Sequence, residues 1–81
     1  MPQKSGLSAE QRRALELLAG GSRGATETLM LAHGFTADML AGLVLAGLAT
    51  VVTETVKAGG PTIKVERFLI TDAGRRAIEG E

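Results

Sequence analysis

The chain contains no cysteine, no tryptophan and no tyrosine, and only two phenylalanines, Phe35 and Phe68. Without cysteine there is no disulfide, no thiolate metal site and no cysteine nucleophile, which fits a reducing, cytoplasmic setting. Two aromatic rings do not make a platform on which successive single-stranded bases could stack. No apolar run approaches the ~20 residues of a membrane span, so no membrane partner is expected. The opening segment MPQKSG lacks the apolar core of a signal peptide, and residues 1–7 read as a flexible arm. The single histidine, His33, has no cysteine or carboxylate cluster beside it. It reads as a helix-terminal or surface residue rather than a metal ligand. The nine carboxylates are scattered, and no serine, histidine and acid stand at a convincing spacing. The expectation is a protein with no catalytic residues, no metal and no cofactor.

Positive charge is also missing from the middle of the chain. Residues 24–56 hold no Lys or Arg but carry Glu27, Asp38 and Glu54, giving 0 − 3 = −3. Residues 57–67 hold Lys57, Lys64 and Arg67 against Glu66, giving 3 − 1 = +2.

What is present is a single small domain, expected over residues 8–79 with a two-residue tail. The chain has 81 residues, 44% of them hydrophobic; a domain of this size buries only about 60% of its unfolded surface, enough for a modest core. The organising stretch is TADMLAGLVLAGLA (36–49). Thr36 is a good N-cap, and Asp38 sits in the first turn, where the helix dipole favours negative charge. Phe35 and Leu40 have the spacing of a hydrophobic staple. Gly47 can take the left-handed conformation that stops a helix, with Leu48 folding back onto Leu43. On a helical period Leu40, Leu43, Val44 and Gly47 share the inward face. Asp38, Ala41, Gly42, Leu45 and Ala46 face out.

Before it, residues 9–19 form a first helix, with Ser8 and Gln11 as a capping box and Ala14, Leu15 and Leu18 as its buried stripe. A second helix runs from 26 or 27 to 33, stopped by Gly34, with Phe35 packing back on Met30. Two short helices joined by so little chain form a helix-turn-helix. After Gly47 the pattern changes to β-branched strands, TVVTETVK (50–57) and TIKVERFLI (62–70), around a turn of Ala58, Gly59, Gly60 and Pro61. The register of this hairpin is open, because the glycines permit several turn lengths. Thr71 caps a last helix over 72–79, with Ala73, Ala77 and Ile78 turned inward and Gly74 placed for close approach to another backbone. The expected order is helix, helix, helix, strand, strand, helix, an α+β chain with a two-stranded antiparallel hairpin.

This order, together with LVLAGL (43–48) at the end of the third helix and ITDAGRRAI (70–78) at the exit from the hairpin, resembles the winged-helix branch of the helix-turn-helix proteins. The likeness is to the multiple-antibiotic-resistance-regulator (MarR-like) type and covers roughly residues 8 to 79. The resemblance implies a DNA-binding, transcription-regulatory module acting on double-stranded DNA. The third helix would enter the major groove and the hairpin would touch the backbone. By position, the groove face would be Asp38, Ala41, Gly42 and Leu45. Phosphate contacts would fall to Arg23, Lys57, Lys64 and Arg67, with Thr36 at the helix end.

The groove face holds no Arg, Lys, Asn or Gln, the side chains that read base edges best, and the hairpin lacks the family's Asp-x-Arg signature. Backbone contacts from the hairpin and helix ends would therefore carry any DNA binding. The alternative is a protein-interaction module of winged-helix shape, homodimeric or with another partner, through Ala41, Gly42, Leu45 and Ala46. For Lys57, Lys64 and Arg67 of the hairpin the alternative is a charged edge strand that discourages edge-to-edge aggregation.

Overall fold

A computed structural model of the chain describes residues 7–57 and 59–79. The remainder of the arm (1–6), Ala58 of the hairpin turn and the 80–81 tail lie outside the described residues. The element order is α1 (Ala9–Gly20), β1 (Ala25–Thr26), α2 (Glu27–Ala32), α3 (Ala37–Leu45), β2 (Ala49–Lys57), β3 (Thr62–Ile70) and α4 (Asp72–Glu79). The result is an α+β domain of four helices and one antiparallel sheet in the order β1-β3-β2.

The helix boundaries are set by side-chain caps and glycine stops. Ser8 Oγ accepts from Gln11 N at 3.0 Å while Gln11 Oε1 accepts from Ser8 N at 2.9 Å, a closed capping box on α1. Helices α2 and α3 end in the same way. Gly34 N donates to the Leu31 carbonyl and Phe35 N to that of Met30; Gly47 N donates to Val44 and Leu48 N to Leu43. These paired bonds satisfy carbonyls that a helix end otherwise leaves open. Phe35 and Leu40, spaced as a staple across the Thr36 cap, are both buried.

The sheet has three strands where two were expected. Gly24 has φ +69, and a Cβ on it would run into the Phe68 carbonyl. Glycine therefore lets the chain lie directly against β3. The next two residues pair with that strand, Ala25 with Phe68 and Thr26 with Arg67. Thr26 then turns to capping, its Oγ1 accepting from Leu29 N at 3.2 Å. A strand of two residues has no alternation for a sequence to display.

The core is built from Leu15 and Leu18 of α1, Met30 of α2 and Leu40 and Leu43 of α3, all fully buried, closed by Ala25, Ala49 and Phe68 of the sheet. Leu7, assigned above to the arm, is buried in the same cluster. Its isobutyl group gains more by joining the core than by staying in water.

Thr71 joins the two ends of the fold. Its Oγ1 donates to the Gly47 carbonyl at 2.7 Å and accepts from Gly74 N at 3.0 Å, while its N–H donates to the Leu48 carbonyl at 3.1 Å. Gly74 is buried, and a Cβ there would meet the Leu48 carbonyl and the Ile70 side chain. Helix α4 therefore packs through Gly74, Ala77 and Ile78, an i, i+3, i+4 stripe. Ala73, expected to face inward, is exposed, because the close approach at Gly74 fixes the rotation of the helix.

Candidate interaction face between α3 and the hairpin

The register of β2 and β3 runs from Ala49↔Ile70 through Val51↔Phe68 and Thr53↔Glu66 to Lys57↔Thr62. Strand alternation then sorts the side chains of the hairpin. Val51, Thr53, Thr55 and Lys57 share one face with Thr62, Lys64, Glu66 and Phe68. Val52, Glu54 and Val56 share the other with Ile63, Val65 and Arg67.

The first face and helix α3 form the walls of an open trough of about 360 Å³. Ala37, Ala41, Val44 and Leu45 line the helical side; Val51 and Phe68 line the sheet side. Leu45 is 88% exposed and Val51 41% exposed, so apolar surface is open to water here. Among the described residues, the only ionisable side chains on the lining are the carboxylates of Glu27, at the start of α2, and Glu66, on β3. The same two residues border a second depression of about 520 Å³, shared with Thr28, Thr53, Ile63, Lys64 and Val65. Glu27 and Glu66 thus separate an apolar hollow from a mixed one that holds a lysine. Neither makes an ion pair or a side-chain hydrogen bond among the described residues.

The expected patch residues divide. Ala41 and Leu45 line the trough. Gly42 is half-buried and Ala46 exposed, and neither lines it. Val44, read as part of the inward stripe, is half-buried and reaches both the core and the trough. Val51, Glu66 and Phe68 carry no mark in the sequence, because the wall opposite α3 exists only once the hairpin register is fixed; Ala37 and Glu27, the first residues of α3 and α2, join the lining as well.

The expected nucleic-acid residues are not brought to one place. Arg23 and Arg67 meet on the far face of the hairpin, both on Glu54. Arg67 Nε donates to Glu54 Oε1 at 3.3 Å, Arg23 Nη2 lies 3.6 Å from Glu54 Oε2, and Arg67 Nη1 donates to the Arg23 carbonyl at 3.4 Å. Lys57 and Lys64 lie on the trough face, diagonal to one another toward the tip. Thr36 spends its hydroxyl oxygen on the cap, accepting from Met39 N at 3.2 Å. His33 is the exposed C-cap residue of α2, its N–H donating to the Leu29 carbonyl.

Among the described residues, no group of three or more His, Cys, Asp or Glu is placed to hold a metal ion. No helix among them is long and apolar enough to cross a membrane. No protein-family model, curated protein or solved structure matches the chain significantly.

Proposed function

We propose that the chain is a protein-interaction module of winged-helix shape, whose binding surface is the trough between α3 and the hairpin. The shape is supported by the tight α2–α3 corner, by the hairpin that follows α3 directly, and by the return into α4 through Thr71. The observation that carries the function is Leu45, 88% exposed beside an apolar hollow whose charged lining, among the described residues, is acidic. On a DNA-reading face, Glu27, Asp38 and Glu66 would approach phosphates of the same sign. Aliphatic side chains would meet base edges that ask for hydrogen bonds. On a protein-binding face, burying Leu45 alone contributes on the order of 1.5–3 kcal/mol.

One observation favours the second reading, a DNA-binding module held by its hairpin: Lys57 and Lys64 share the trough face. Two experiments separate the readings. Fluorescence anisotropy with random duplex DNA at low salt, followed by a salt titration, tests the DNA reading, because phosphate contacts by lysine make affinity fall with salt. Selection of a random peptide-display library on the immobilised full chain, against the Leu45→Glu variant, tests the protein reading. We expect no DNA binding at micromolar protein and enrichment of peptides that the variant fails to hold. Salt-sensitive DNA binding, with no peptides preferring the parent chain, overturns the protein reading.

A further inference from the structure

The lining of the trough combines apolar side chains with two carboxylates. Its floor and walls are aliphatic and aromatic, from Ala41, Val44, Leu45, Val51 and Phe68, so the part of a ligand that enters must be apolar. Its rim toward the second depression is formed by Glu27 and Glu66, which among the described residues form no ion pair, Lys64 lining the second depression beyond them without pairing to either. A ligand lying in the trough covers these carboxylates in part. Covering a carboxylate without supplying a partner is unfavourable, and a neutral or acidic ligand would leave both of them so.

A second copy of the chain does not meet this requirement through the same face. A two-fold contact places a patch against itself, so the Glu27 and Glu66 of one copy would stand near those of the other. Like charges in apposition oppose association. Nucleic acid seated in the trough would bring its phosphates against the same two carboxylates, with Lys57 and Lys64 farther toward the tip.

We propose that the trough captures a basic amphipathic segment of another protein: an apolar anchor seated against Leu45, Val51 and Phe68, with a Lys or Arg about one helical turn away reaching Glu27 and Glu66 from the trough side, where the described lining holds no basic residue. A short amphipathic helix presents anchors three or four residues apart and a cation on the adjoining row. Arginine suits the site best, because its planar fork can engage a carboxylate with two donors. This rests on the protein-interaction reading above and adds the chemistry of the partner.

The display selection tests it through the composition of what is recovered. Peptides held by the full chain and lost on Leu45→Glu are expected to carry Lys or Arg within about four residues of an aliphatic or aromatic anchor. Glu66→Gln is expected to weaken the best of them by about two- to fivefold, as removal of one exposed charge contact does. The double variant Glu27→Lys, Glu66→Lys is expected to select acidic peptides instead. Circular dichroism of each variant confirms the fold, and Glu66→Gln, which adds no bulk, serves if the double variant does not fold. Leu45-dependent peptides that are neutral or acidic on the parent chain overturn the charge assignment while leaving the interaction reading standing. Peptides that bind parent and Leu45→Glu equally, or no enrichment at all, overturn both.

Discussion

Arg67 on β3 and Glu54 on β2 form an ion pair of 3.3 Å on the face of the hairpin turned away from α3, and Arg23, two residues before β1, completes it from across β3. One carboxylate thus draws on all three parts of the sheet. It holds two guanidinium groups with one negative charge, so the triad keeps a net +1 on this face. Lys57 and Lys64 lie on the other face.

This triad is partly exposed, so its contribution is modest. Glu54→Gln is expected to destabilise the domain by about 0.5–1 kcal/mol and to lower Tm by a few degrees. The difference should shrink in molar salt, where charges at this separation are screened. Urea denaturation of parent and variant at two salt concentrations measures it. Equal stabilities at low salt would remove the triad from any account of how β1 is held.

Two glycines in helices should respond in opposite directions. At Gly74 a Cβ would collide with the Leu48 carbonyl, a backbone atom that cannot step aside. Gly74→Ala is expected to cost more than about 2 kcal/mol and to loosen α4. At Gly42, inside α3, a Cβ would meet nothing within 4 Å. Gly42→Ala is expected to stabilise by about 0.5–1 kcal/mol through helix propensity alone, and, since Gly42 does not line the trough, to leave partner binding unchanged. Thermal unfolding of the two variants beside the parent checks both signs.

The two faces of α3 should likewise separate stability from binding. Leu40 is fully buried, and Leu40→Ala is expected to cost about 2–5 kcal/mol, a large fraction of the stability of so small a domain. Leu45→Glu, at an 88% exposed position, is expected to change stability by less than about 0.5 kcal/mol while abolishing capture of peptides. A Leu45→Glu chain that unfolds would show that this side chain belongs to the core, contrary to its exposure.

Much of the fold was legible in the sequence because its determinants are local. Ser8, Thr36 and Thr71 cap helices; Gly34 and Gly47 stop them; Leu40 and Leu43 fall on one side of a helical period. The unreadable parts depend on residues far apart in the chain. Strand β1 exists because Gly24 lies on the Phe68 backbone, a contact 44 positions away that two residues of strand cannot announce. Pairing of Arg67 and Arg23 with Glu54 required a hairpin register that the turn glycines left open. Half of the trough could be seen, since Ala41 and Leu45 follow from helical spacing. The other half, Val51, Glu66 and Phe68, depended on that same register. Ala73 was misassigned because hydrophobicity pointed inward while the Gly74 contact, not hydrophobicity, sets the rotation of α4.

The central claim is that the α3–hairpin trough is a protein-binding surface. The most direct measurement is backbone amide chemical-shift mapping of the full chain, titrated in parallel with a peptide recovered by the selection and with random duplex DNA. The account predicts shifts on peptide addition centred on Ala41, Leu45, Val51 and Glu66, and none of comparable size with DNA. Shifts with DNA at Lys57, Lys64 and the first turn of α3, together with an unresponsive Leu45 on peptide addition, would contradict it.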